Sequence, residues 1–204
     1  MPGPAKPGEP RRPTLLASAA ELEDITRRIG AELSAAHPAG LVLVGVLKGG
    51  VVFLADVARH ITVPLALDFV AVAPYDGSRG RTRLVKDLDA DLTGRPVVLV
   101  TGIVDTGLTA TYLLGQLRQR GAASVGLCGL ADKRARRLVP VPVDFVGLDV
   151  PDQFLIGYGL DFAGRYRNLP ALYGVDSALL AEDPDRFVPV LYRQPGPALR
   201  PDDS

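Results

Sequence analysis

Residues 97–109, VVLVTGIVDTGLT, decide the reading of this chain. Val97, Val98, Leu99 and Val100 form a short unbroken apolar run, the pattern of a parallel strand buried on both faces. Thr101 and Gly102 separate that strand from a turn, and glycine there allows φ > 0 or a close approach of the backbone to a ligand. Asp105, Thr106, Gly107, Leu108 and Thr109 then lead into a helix. Their N–H groups face an anion at the helix's positive end, which makes the segment a candidate phosphate cradle. A plain strand-to-helix turn shares the pattern, so the surrounding sequence must separate the two readings.

On both sides the alternation repeats. Residues 17–33 place Ala20, Leu22, Ile25, Ile29 and Leu33 at helical spacing, with Glu21, Glu23 and Asp24 early and Arg27 and Arg28 later. Residues 41–47, LVLVGVL, are a second buried-strand run, ended by Lys48-Gly49-Gly50. Residues 51–60 read as a helix, 65–73 as a β-rich run, 108–120 as a helix closed by Gly121, and 124–130 and 145–150 as strands. Strands spaced by helices predict an α/β fold: a mainly parallel twisted sheet flanked by helices and wound by right-handed crossovers. Ligands of such sheets lie outside the carboxyl ends of the strands. Lys48-Gly49-Gly50, the 101–109 segment, Asp132-Lys133 and Val150-Pro151-Asp152 each follow a strand, so four strand ends share one rim.

The chain of 204 residues, 47% hydrophobic, is enough for one sizeable core. It divides into a proline-rich leader over 1–13, a single domain over 14–175 and an extension over 176–204, in which 187–192 is β-like. Residues 74–95 mix glycine with both charges and suit a long hairpin or a lid over the site. Lys+Arg and Asp+Glu both number 23, so no global field draws nucleic acid. The single Cys128 sits in an apolar run, which excludes an intramolecular disulfide framework and fits a reducing cytoplasm. No apolar run approaches the roughly 18 residues of a membrane span, and the N-terminus lacks a signal-peptide core, so neither membrane attachment nor export is expected.

The 97–109 stretch resembles the signature of the type I phosphoribosyltransferases, in which an apolar strand precedes two acids, two aliphatics, Asp, Thr or Ser, Gly and Thr. Thr101-Gly102 stand here in place of the acids. Four further stretches follow the order of the hypoxanthine-guanine (6-oxopurine) branch. These are Leu47-Lys48-Gly49, then Leu130-Ala131-Asp132-Lys133 with Arg136-Arg137, then residues 150–161 (VPDQFLIGYGLD), and Arg165-Tyr166-Arg167-Asn168-Leu169. The resemblance implies the family's fold, with a small hood built from the N- and C-terminal parts. It also implies that Lys48, Gly49 and Arg167 hold pyrophosphate, and that the peptide at Leu47-Lys48 is strained, with cis among its forms. The same likeness assigns Lys133 to the purine O6, Phe154 to stacking on the base, Leu155 to its edge, and Asp161 to Mg²⁺ or a water on it.

Those assignments match the residues' chemistry. An ammonium is a compact donor to a carbonyl oxygen, an aromatic face stacks on a base, and a guanidinium fork fits phosphate oxygens. Asp105 is then the expected catalytic residue, taking the purine N7 proton or stabilising positive charge there, while the 105–109 backbone holds the 5-phosphate. Thr101 and Gly102 occupy the sugar-binding positions. Tyr75 stands in the family's mobile loop, with Pro74 where a serine is usual.

The expected activity is transfer of a phosphorylated sugar from its pyrophosphate donor to a purine, with release of pyrophosphate and with Mg²⁺ as cofactor, by a homodimer or homotetramer. Because Thr101-Gly102 lack carboxylates, two other readings stand beside ordinary salvage: a purine transferase using a non-ribose sugar pyrophosphate in nucleoside natural-product biosynthesis, and a non-catalytic nucleotide-binding regulator.

Overall fold

A computed structural model of the chain describes residues 12–73 and 84–192. The N-terminal strand β1 (Thr14–Ala17) runs into helix α1 (Ala19–Ala36). Ser18 caps that helix reciprocally with Glu21: the Glu21 N–H donates to Ser18 Oγ at 3.3 Å, and the Ser18 N–H donates to Glu21 Oε2 at 2.8 Å. Then follow β2 (Leu41–Leu47), α2 (Val51–Arg59), β3 (Leu65–Val72), β4 (Leu84–Lys86), β5 (Pro96–Val104), α3 (Leu108–Gln119) and β6 (Ser124–Asp132). A 3-10 turn at Arg134–Arg136 precedes β7 (Phe145–Asp149), β8 (Phe154–Ile156), β9 (Leu172–Val175), α4 (Ser177–Glu182) and α5 (Val188–Leu191).

The main sheet has the order β4-β3-β2-β5-β6-β7, parallel throughout except for antiparallel β4. The α/β expectation therefore holds. Period-two alternation along β5 explains its unbroken apolar sequence: Val98 and Val100 pack with α1 and α2, whereas Val97 and Leu99 pack with α3 on the opposite face. Cys128 is buried and free, and desolvation pushes its thiol up, as expected of a structural cysteine. Among the described residues no helix is long and apolar enough to cross a membrane.

Chain direction decides where a ligand fits. From β2 the chain crosses through α2 to β3 on one side, and from β5 through α3 to β6 on the other, which puts the switch point between β2 and β5. The two strands pair only as far as Gly45↔Val100, and beyond that their ends diverge.

A second sheet, β1-β9-β8, forms the hood, pairing Thr14 with Gly174 and Leu155 with Gly174. Two expectations need correction, and one open point is resolved. The strand read over 97–100 extends to Val104, because β6 pairs with it as far as Val104↔Asp132, and this places Thr101 and Gly102 inside the strand. The β-like segment at 187–192 is a helical turn, α5, with Pro at its start. Residues 176–191 also pack on the domain: Leu180 and Phe187 join Ile156, Tyr166, Leu169 and Val175 in a third buried cluster.

Candidate active site

The cradle is built by the end of β5 and the start of α3. Gly107 caps α3 at φ 88°, a conformation that favours glycine, and a Cβ there would lie 2.5 Å from the Val139 carbonyl oxygen. Two backbone bonds pin the turn to the 134–139 segment: Leu138 and Val139 N–H groups donate to the Thr106 carbonyl at 2.9 and 3.1 Å. Gly107 has no side chain to cap α3, the Leu108 N–H reaches the Thr106 hydroxyl only at 3.4 Å, and no acid stands in the first turn; the positive end of the helix borders a cavity of about 150 Å³. Thr101, Asp105, Thr106, Gly107 and Thr109 line that cavity. Leu108, whose side chain is exposed, contributes only backbone to the first turn.

A larger cavity of about 1250 Å³ opens beside the cradle, and Ile103 and Asp105 line both. Lys133, Phe154, Leu155 and Asp161 converge on it from β6, β8 and the turns that follow them. Lys133 is 7% exposed, and its N–H donates to the Val104 carbonyl at 3.0 Å, which anchors it to β5. Desolvation lowers its pKa from the ordinary lysine value, with Asp105 opposing that shift. Asp132, buried beside it, receives Arg137 and, at 3.3 Å, Arg134. Phe154 is 36% exposed, meets Phe162 in a T-shaped contact with ring centroids 5.6 Å apart, and borders the cavity.

Lys48, exposed, and Gly49, half-buried, form the turn after β2, and the peptide at Leu47-Lys48 is cis. The Arg167 Nη1 donates to the Gly159 carbonyl at 2.5 Å and its Nη2 pairs with Asp161 at 2.7 Å. Gly159 in turn lies against Gly49. The structure thus gathers Asp105, Lys133, Phe154, Leu155 and Asp161 around one cavity, with Asp105 shared by the cradle. Arg167 joins them through its pair with Asp161 while lining a separate cavity of about 340 Å³ with Val52 and Asp56, and the Lys48-Gly49 turn meets this wall only where Gly49 lies against Leu160 and Gly159. Thr101 lines the cradle, its hydroxyl donating to the Ile103 carbonyl at 3.2 Å, whereas Gly102 is buried against Gly49. Tyr75 lies outside the described residues.

Among the described residues no group of three or more His, Cys, Asp or Glu side chains could cage a metal. A single carboxylate, Asp161, fits Mg²⁺ nonetheless, because that ion keeps waters and takes most of its remaining ligands from substrate phosphates.

Arg136 is the site residue that the sequence reading passed over. Its Nε meets Asp105 at 2.8 Å and its Nη1 meets Asp152 at 3.2 Å, spanning the mouth of the large cavity. Nothing in an arginine-rich run singles out one member; the 3-10 turn at Arg134–Arg136 swings this one over Asp105. Arg12 and Thr14 also line the cavity, a position that only the pairing of β1 with β9 reveals.

Comparison with known proteins identifies the family. The family model described as phosphoribosyl transferase domain matches residues 15–163. The hypoxanthine-guanine phosphoribosyltransferase of Bacillus subtilis (strain 168) is 41% identical over 160 residues, covering 76% of this chain and 89% of that protein. A crystal structure of a hypoxanthine-guanine phosphoribosyltransferase from Bacillus anthracis superposes with a TM-score of 0.77 at 33% identity, covering 82% of this chain and 99% of that one. Trypanosoma cruzi hypoxanthine phosphoribosyl transferase superposes at 0.78 with 31% identity over 88% of this chain and 98% of that one.

Proposed function

This chain belongs to the phosphoribosyltransferase family, and from that premise we propose that it acts as a hypoxanthine-guanine phosphoribosyltransferase, joining a 6-oxopurine to the ribose 5-phosphate of phosphoribosyl pyrophosphate and releasing pyrophosphate. One observation supports the reading: Asp105 lines both the cavity at the N-terminus of α3, suited to phosphate, and the larger cavity that Lys133, Phe154 and Leu155 also line.

In this reading the N–H groups of residues 105–109 bind the 5-phosphate at the positive end of α3. Phe154 stacks on the base, Leu155 presents backbone to its edge, and the Lys133 ammonium donates to O6. A purine ring nitrogen bonds to C1 of the ribose as the bond from C1 to the pyrophosphate oxygen breaks. The proton that the base gives up passes to the Asp105 carboxylate, which also faces the positive charge developing on the five-membered ring. Lys48, Gly49 and Arg167 grip the leaving pyrophosphate, and Thr101 offers its hydroxyl to the sugar. Asp161 and the donor's phosphates would hold Mg²⁺, which neutralises leaving-group charge.

The relatives' named activity favours neither a non-ribose donor nor a non-catalytic regulator. A cytoplasmic homodimer or homotetramer completes the proposal, with 14–175 as the catalytic domain and 176–204 as its extension. Turnover of hypoxanthine, guanine and adenine with phosphoribosyl pyrophosphate tests it. The 6-oxopurines should react well and adenine poorly; a folded protein that converts none of the three is not this enzyme.

A further inference from the structure

β5 parts from β2 after Val100, while its pairing with β6 continues to Val104. The side of β5 left open is filled by backbone. A Cβ added to Gly102 would stand 2.8 Å from the Gly49 carbonyl oxygen and 2.9 Å from Leu160 Cδ2. Both lie inside the distance at which real Cβ atoms are found, so any side chain at 102 forces a shift. From the other side, a Cβ on Gly159 would stand 2.8 Å from the same Gly49 oxygen. The carbonyl of Gly49 is therefore held between two bare backbones.

Gly159 also binds Arg167 on both of its backbone groups. Its N–H donates to the Arg167 carbonyl at 2.8 Å, and its own carbonyl receives the Arg167 guanidinium, which pairs with Asp161. β5, the Lys48-Gly49 turn, Gly159, Arg167 and Asp161 thus form one contiguous packed unit. The absence of a side chain at position 102 is what allows the first two to touch.

We propose that Gly102 is a positioning residue that seats the Lys48-Gly49 turn on β5 and sets it in register with Arg167, so that the pyrophosphate end of the donor meets a single rigid grip. Gly102 itself then touches no sugar hydroxyl, and sugar recognition on this strand falls to Thr101. Displacement of such a turn by a fraction of an ångström is costly because a misplacement of about 1 Å can lower a rate roughly a hundredfold. The proposal rests on the phosphoribosyl-transfer reading for its choice of ligand.

The test compares the wild-type chain with Gly102→Ala, both with Mg²⁺, in two measurements. In steady-state kinetics the variant should raise KM for phosphoribosyl pyrophosphate, and for pyrophosphate in the reverse direction, at least about tenfold, with KM for the purine changing less than about twofold. In thermal unfolding, inorganic pyrophosphate should raise the midpoint of the wild type and raise that of the variant much less. Equal changes for purine and donor, or an unchanged donor KM, overturn the seat. If Gly102→Ala does not fold, the same comparison is made with Gly102→Ala/Leu160→Ala, which removes the second obstacle; there too an undiminished pyrophosphate shift overturns it. A wild type that is stabilised by pyrophosphate but transfers no ribose phosphate refutes the activity while leaving the seat open to the thermal measurement. A wild type that neither reacts nor is stabilised overturns both.

Discussion

Lys133 and Asp105 face one cavity with opposite charge, one nearly buried and the other half-exposed, and their substitutions should separate cleanly. Lys133→Gln removes a charged hydrogen bond worth about 1.5–3 kcal/mol, which is about a 10- to 100-fold rise in KM for hypoxanthine and guanine. KM for the sugar donor should stay unchanged, as steady-state kinetics with each substrate varied will show. Asp105→Asn keeps the shape and loses the proton acceptor, so kcat should fall about a hundred- to ten-thousandfold while purine binding, followed by calorimetry, survives. The 105–109 segment was legible from the sequence because a cradle is local: its turn, its glycine and the helix it opens are consecutive. Arg136 was not legible, because its two carboxylate partners, Asp105 and Asp152, come from other elements.

At the level of elements, Asp68 shows how a short edge strand is held. It is buried on β3, and its Oδ2 accepts the N–H groups of Asp89 at 2.9 Å and Ala90 at 2.8 Å, tying the segment after β4 back to the sheet. Burial pushes its pKa up, but the N–H groups of Ala90, Phe69 and Asp89, with Lys86, outweigh this and hold the carboxyl below its ordinary range. A carboxyl with a depressed folded-state pKa stabilises above its unfolded value and loses that contribution as the pH falls through its folded one. Asp68→Asn should therefore cost about 1–3 kcal/mol at pH 7, and its deficit should shrink on acidification toward pH 3, as read from unfolding midpoints across that range.

The long parallel strands were legible because burial on both faces writes a continuous apolar run. The strands of the hood were not: β1, β8 and β9 span 4, 3 and 4 residues, too few to establish a period, and their partners lie far away in sequence. The extent of β5 was missed for a related reason, since Thr101 and Gly102 are held in strand geometry by β6 and not by their own preference. The tail misled because Phe187 and Val188 look extended; the buried cluster around Tyr166, whose hydroxyl donates to the Pro184 carbonyl at 2.7 Å, folds them into a turn.

Across the whole molecule, the hood adds Phe154 and Leu155 to the purine contacts that Lys133 and Asp105 bring from the central sheet, and β1 can be removed from the hood without touching that sheet. A chain starting at Ser18 loses β1, Arg12 and Thr14 but keeps every strand of the main sheet. It should remain folded by circular dichroism with a lower midpoint, bind the purine more weakly, and keep its donor KM within about twofold. The pairing of β1 with β9 has a further consequence, in time. On the ribosome, the cradle has its partner strand β6 and its 134–139 brace once Val139 has emerged, yet the first described strand waits for Val175 before it has a partner. The active site is therefore born in two instalments, the cradle and Lys133 early and the hood last, and a nascent chain stalled between them would hold a recognisable cradle beneath an unfinished roof.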